Sequence, residues 1–274
     1  MRLLLWVGVI FIFFFSLGPP LWELLTSIKT TAAITADQVI YLPAWAQLTL
    51  DHYLKLLIKD RFYVYIINSA LVAVISTLLC IGIGSPAAYA LARLKIPGEQ
   101  VVLTGVLVVT LFPYILLFLG LLELVQLTGL ANNYLALIIP YTAINLPLTI
   151  LVMRSFFQQL PRELEDSAKI DGYTTLQMLW QIVLPTTLPA LITTGILTFI
   201  FAWNEYIFAL SFITRDAMKT IPVAAAQLGS TTTFEVPHGP LAAATVLGTL
   251  PLVLLVLFCQ RKIVQGLTAG SVKG

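Results

Sequence analysis

Charge is what this sequence has least of. Asp, Glu, Lys and Arg make up 10% of its 274 residues, where a water-soluble domain carries about 25%. With 59% hydrophobic residues, the chain has lipid as its main solvent. Cysteine is also scarce. Cys80 and Cys259 both sit in apolar runs, a setting that suits packing rather than a disulfide or a metal site. No G-x-x-x-x-G-K-[ST] stretch is present, so ATP hydrolysis is not expected of this chain itself. H-E-x-x-H and G-x-S-x-G are missing too, and His52 and His238 lie outside the apolar runs. The expectation is no catalytic residue, no metal site and no enzyme. A net charge of +2 gives no footprint for a nucleic acid.

Long apolar runs are there in abundance. A spanning helix needs about 20 mostly apolar residues. Six stretches qualify: Leu3–Leu25, Val64–Leu91, Val101–Leu124, Tyr134–Met153, Leu184–Ile213 and Leu241–Cys259. Backbone donors in lipid must be paired within the segment, and the runs do not alternate as barrel strands do. The sequence therefore predicts an all-α polytopic membrane protein with six transmembrane helices in one transmembrane domain over residues 1–274. The first run has only Arg2 before it and no A-x-A-like site after it, so it reads as a retained span rather than a signal peptide. Each run contains proline, which kinks helices, and "GIGSPAAYALA" (Gly82–Ala92) gathers small residues that permit close helix approach.

Six spans put both ends on one side. With both ends cytosolic, the inner segments hold Arg2, Arg93, Lys95, Arg154, Arg162, Lys169, Arg261, Lys262 and Lys273, against Lys29, Lys55, Lys59, Arg61, Arg215 and Lys219 outside. The positive-inside rule favours that orientation. It makes residues 154–183 a cytosolic loop and residues 26–63 and 214–240 outer loops.

The cytosolic loop concentrates the chain's scarce charge. In "PRELEDSAKIDGYTTLQMLWQIVLP", Pro161 suits the first turn of a helix, and Glu163, Glu165 and Asp166 follow near the positive end of its dipole. Asp171-Gly172 is a break signal. Leu176, Leu179, Trp180 and Val183 then recur at helical spacing up to Pro185. This predicts two short helices with a bend between them, polar outside and apolar inside. By physics alone an interfacial amphipathic connector is the better reading.

The same stretch resembles the E-A-A-x-x-D-G coupling motif of ABC importer permeases. Asp166, Ser167 and Ala168 stand where Glu-Ala-Ala is usual; Asp171, Gly172 and Pro185 match, and Leu179 replaces a common phenylalanine. "FIFAWNEYIFAL" (Phe199–Leu210), the tail "QRKIVQGLTAGSVKG" (Gln260–Gly274) and Asn68–Gly98 are similar to the smaller permease of the maltose and trehalose type. The resemblance implies a type I importer fold with a cytosolic coupling helix. It implies, as partners, a second homologous permease, two ATPase subunits that bind ATP and Mg, and an extracytoplasmic sugar-binding protein. It also implies a multi-pass place in the lipid of a bacterial cytoplasmic membrane, and an α-linked disaccharide or a glucoside as cargo. Residues Glu163, Glu165, Asp166, Ser167, Ala168, Asp171 and Gly172 would couple to the ATPase. The tail would touch the ATPase pair. In the outer loop, Gln227, Gly229, Ser230, Thr231, Thr232 and Thr233 would meet the sugar-binding protein.

Within the spans the conspicuous polar or amphipathic residues are Asn145, Trp203, Asn204, Glu205 and Tyr206. They are the candidates for a substrate path. Glu205 either lines that path or ties two helices together, because an ionisable group at membrane depth faces a wet cavity or a bundle interior. Asn145 and Asn204 either meet sugar hydroxyls or bond within the bundle. Three readings compete with a sugar importer: an importer of a non-sugar solute, a structural membrane protein, and an ion-coupled secondary transporter. The last usually shows broken helices with midplane acids, for which Glu205 is the candidate.

Overall fold

The computed structural model describes residues 2–228 and 237–269. Its main helices are α1 (Arg2–Ser27), α2 (Tyr63–Arg93), α3 (Glu99–Leu111), α4 (Phe118–Leu127), α5 (Leu135–Gln159), α6 (Arg162–Ile170), α7 (Leu188–Asn204), α8 (Ile207–Phe212), α9 (Ile221–Leu228) and α10 (His238–Ala269). No β-strand occurs among the described residues. Four helices are long and apolar enough to cross a membrane, or six segments when each of two bent pairs counts as one.

Those bent pairs revise two expected spans. Val101–Leu124 is not one helix: α3 stops at Leu111, and the chain turns by 88° before continuing through Leu127. Phe112 is extended there, with ψ 129°, the conformation favoured for a residue before proline. Leu184–Ile213 is not one helix either. The segment Thr175–Thr186 meets α7 at 83°, with the break at Thr187 and Pro189 in the first turn of α7. The helix then stops again at Glu205, which is extended. Proline alone does not set these breaks, since Pro140 and Pro147 lie inside the continuous α5.

The chain forms two compact units. The first is drawn from residues 1–67 and 220–253. It holds α1, α9 and the start of α10, with short helical turns between Thr31 and Lys59 where a plain loop was expected. His52 Nε2 lies 2.9 Å from the Lys29 carbonyl oxygen, and Gly239 packs on the His52 ring with no room for a Cβ. Lys29 Nζ donates to the Ile40 carbonyl and sits 4.3 Å from the centre of the Trp22 ring. Burial lowers its pKa below the usual lysine value.

The second unit is drawn from residues 68–219 and 254–274, and α5 is its axis. Helices α3, α7 and α8 pack on it, and α2 runs beside it in the same direction. Hydrogen bonds between α2 and α5 or their ends join residues 62 to 67 positions apart in sequence, from Asn68 down to Arg93. A near-constant offset is the signature of two parallel helices in fixed register. Midway, a Cβ on Gly84 would stand 2.7 Å from Thr149 Cγ2, so the absent side chain is what lets the backbones approach.

The tail from Gln260 continues the last span: the α10 backbone stays helical through Ala269. Gln, Arg, Lys and Leu in this stretch are strong helix formers. The last five residues, Gly270 to Gly274, lie outside the described residues.

Candidate functional site

Helix α6 is built locally. Leu160 ends α5 in an extended conformation, Pro161 precedes the first turn, and Glu163 and Glu165 occupy that turn. Its end is equally local. Gly172 takes φ +85°; its N–H donates to the Lys169 carbonyl at 3.1 Å and the Tyr173 N–H to the Ala168 carbonyl at 3.0 Å. These two bonds make a Schellman stop, which favours glycine at the left-handed position. Thr174 and Gln177 then cap each other's backbone N–H groups, starting the next short helix.

The seven expected coupling residues divide between two faces. Glu163, Asp166, Ser167, Asp171 and Gly172 are exposed, whereas Glu165 and Ala168 are buried. Ala168 enters an apolar cluster with Tyr89, Met153, Phe157, Met178 and Leu179. Glu165 faces Arg93, at the end of α2, with Nε and Oε1 2.9 Å apart and both side chains at most 10% exposed. The contact is an ion pair at close range, not an aligned hydrogen bond. Arg93 also donates to the Leu160 carbonyl at the end of α5. One guanidinium thus holds α2, α5 and α6 together. The exposed Asp166–Lys169 pair, at 3.4 Å, adds little by comparison.

The exposed side is not purely polar. Ile170 is 87% exposed and Leu176 64%, and Leu164, Tyr173 and Trp180 are also exposed. Leu176 and Trp180 were expected as inward anchors; Met178, Leu179 and Val183 supply that role. The turns from Leu179 to Val183 are π-helical, which changes the period and rotates the inward face.

The candidate path residues do not form one lining. Glu205, Asn145 and Trp203 are buried, while Asn204 and Tyr206 are exposed. Glu205 accepts the hydroxyl hydrogen of Tyr141 and the backbone N–H groups of Phe208 at 2.9 Å and Ala209 at 3.1 Å. It therefore caps α8 and ties it to α5. Asn145 Nδ2 donates to the Tyr141 carbonyl, and Asn204 Nδ2 to the Ile200 carbonyl, each at 2.8 Å. Trp203 stacks on Phe199 at 5.4 Å.

Two asparagines missed in the sequence organise the loop after α8. Asn132 takes φ +59°, and its Oδ1 accepts the N–H groups of Thr214 at 2.7 Å and Arg215 at 2.8 Å. Asn68 Nδ2 donates to the carbonyls of Ala217 and Lys219 at 3.0 and 2.9 Å, and Tyr134 donates to its Oδ1 at 2.7 Å. No local spacing signals these pairs. Farther along, Gln227 is half-buried on α9, whereas Gly229, Ser230, Thr231, Thr232 and Thr233 lie outside the described residues.

The surroundings of this site have close counterparts. The chain is 38% identical over 258 residues to the sulfoquinovosyl glycerol transport system permease protein SmoH of Agrobacterium fabrum, covering 94% of this chain and 89% of that one. It is 38% identical over 260 residues to the trehalose transport system permease protein SugB of Mycobacterium tuberculosis, covering 95% and 93%. The fold superposes with a TM-score of 0.80, at 24% identity and over 95% and 96% of the two chains, on a chain from the crystal structure of a bacterial ABC transporter that imports the acidic polysaccharide alginate. Residues 80–269 match the family described as binding-protein-dependent transport system inner membrane component. By that match and its fold, the chain belongs to that family, the membrane-embedded permeases of ABC importers.

Proposed function

We propose that this chain is the smaller of two homologous permeases in a binding-protein-dependent ABC importer of a sugar, with an α-linked disaccharide or a glucoside as cargo. The named cargoes of the two relatives, trehalose and a sugar glycerol, support that class. Both termini are cytosolic in this reading. ATP and Mg are bound by two partner ATPase subunits, which meet the exposed face of α6. An extracytoplasmic sugar-binding protein meets the loop between α8 and α10, including Gln227 and residues 229–233.

The observation that carries the proposal is the division of α6 into two faces. Its inner face is fixed by Ala168 and the Glu165–Arg93 pair. Its outer face leaves acids beside Leu164 and Ile170, with no cover among the described residues. Large exposed apolar side chains on a soluble-facing element mark a docking surface. Glu163, Asp166, Ser167, Asp171 and Gly172 are the residues that meet the ATPase; Glu165 and Ala168 hold the helix from behind. Glu205, the candidate acid for ion-coupled transport, already accepts three hydrogen bonds, which favours the importer over a secondary transporter.

The test is uptake of labelled trehalose by proteoliposomes holding both permeases, the ATPase and the binding protein. The proposal expects uptake to require internal ATP and the binding protein, and to survive collapse of the ion gradients. Uptake that follows a gradient without ATP would overturn it.

A further inference from the structure

Helices α2 and α5 touch at both ends and at several levels between. At one end Tyr134 donates to Asn68. Cys80 Sγ then donates to the Thr142 carbonyl at 3.2 Å, and Gly84 admits Thr149 against its backbone. Tyr89 packs edge-on against Phe157 at 5.8 Å, Arg154 Nε donates to the Leu91 carbonyl at 3.2 Å, and Arg93 donates to the Leu160 carbonyl. The register is kept on both sides of Pro86, so that proline does not act as a hinge. At about 1.5 Å per residue, the pair runs close to 40 Å from Asn68 to Arg93.

Each end of this pair grips a different element. Arg93 holds α6 through Glu165. Asn68 holds the loop after α8 through the carbonyls of Ala217 and Lys219. Both gripping side chains are buried, with Asn68 4% exposed and the Arg93 side chain 6% exposed. Close-packed elements pass on displacement rather than absorb it, and rigid secondary structure is one physical carrier of coupling between distant sites.

We propose that α2 and α5 act as one strut that carries movement of α6 across the membrane to the loop at residues 214–219, with Arg93 and Asn68 as the positioning residues at its two ends. The proposal rests on the coupling role given to α6 above and names the route by which that role reaches the other side. Loss of the Arg93 guanidinium leaves Glu165 buried without its counter-charge and releases α6 from α2. Loss of the Asn68 amide releases the carbonyls of Ala217 and Lys219, with Thr214 and Arg215 still held by Asn132, while leaving α6 seated.

The test uses the complete complex in proteoliposomes and compares Arg93→Gln, Asn68→Ala and their double variant. Four quantities are read: ATPase bound per permease, basal hydrolysis, hydrolysis stimulated by the sugar-loaded binding protein, and uptake. The strut predicts that assembled Asn68→Ala complexes keep bound ATPase and basal hydrolysis but lose on the order of tenfold in stimulation, and that Arg93→Gln, which loosens α6, loses as much stimulation per bound ATPase. The double variant falls no further than the worse single one, because one link is already broken, and Arg93→Lys retains part of the stimulation. A merely structural role lowers the amount of complex and leaves the stimulation of what survives at the wild-type ratio; that result overturns the strut. So does a double variant whose losses multiply. If Arg93→Gln fails to assemble, Asn68→Ala decides alone. Ile170→Asp, on the exposed face of α6, separates the two levels. If it keeps its ATPase and its uptake, the coupling role itself falls. If it loses them while Asn68→Ala complexes stimulate normally, the strut alone falls.

Discussion

Tyr141 donates its hydroxyl hydrogen to Glu205, and this contact fastens the chain break between α7 and α8 to α5. The carboxylate is buried, and Phe208 and Ala209 also donate to it. Glu205 is a buried cap.

A cap and a path residue respond differently to substitution. Glu205→Ala leaves two backbone N–H groups and a hydroxyl buried without an acceptor, at about 1–3 kcal/mol for each unsatisfied group. We expect a clear fall in the thermal midpoint of the purified protein in detergent, and a smaller fall for Glu205→Gln, which retains one acceptor oxygen. Unchanged stability with lost uptake would return Glu205 to the path.

Glycines 82 and 84 offer a matched pair on one helix. Nothing lies within 4 Å of a Cβ on Gly82, whereas one on Gly84 would press into Thr149. Gly84→Ala should destabilise by about 1–3 kcal/mol through overpacking, and Gly82→Ala should be neutral or slightly stabilising. Equal thermal midpoints for the two variants would contradict the close approach of α2 and α5.

Gly172 has open space around it, so its substitution acts through the backbone alone. A β-branched residue is a poor occupant of φ +85°. Gly172→Val should cost about 1–2 kcal/mol, loosening the end of α6. Reduced retention of the ATPase during purification is the expected reading, with the membrane part still folded by size-exclusion chromatography. Retention at the wild-type level would show that the Schellman stop does not position the docking face.

The two short helices and the bend after α5 were legible because their determinants are local. Pro161, the acids of the first turn and Asp171-Gly172 fix the first helix and the bend within a short run of sequence; the Thr174–Gln177 cap was read only in the structure. The spans α2 and α5 were legible for a similar reason, as apolar runs of sufficient length. What stayed hidden depends on distant partners. Arg93 reads as one positive charge among several until Glu165, far along the chain, is placed against it. Asn68 reads as a polar residue near a span's start until Ala217 and Lys219 come to it. Proline marked where a span can break, but α3 and α4 break at Pro113 while α5 runs on through Pro140 and Pro147; packing decides between the two outcomes. The inward orientation of Glu165 and Ala168 was likewise set by the cluster beneath α6.

The central claim is that the exposed face of α6 joins ATP hydrolysis to passage of a sugar. Ile170 is 87% exposed, so Ile170→Asp leaves the fold intact and alters only what meets that face. The most direct measurement is co-purification of the ATPase with this variant, together with trehalose uptake by the reconstituted complex. The account predicts that the variant folds and pairs with the second permease, but retains little ATPase and imports little sugar. Wild-type ATPase stoichiometry with wild-type uptake would contradict it.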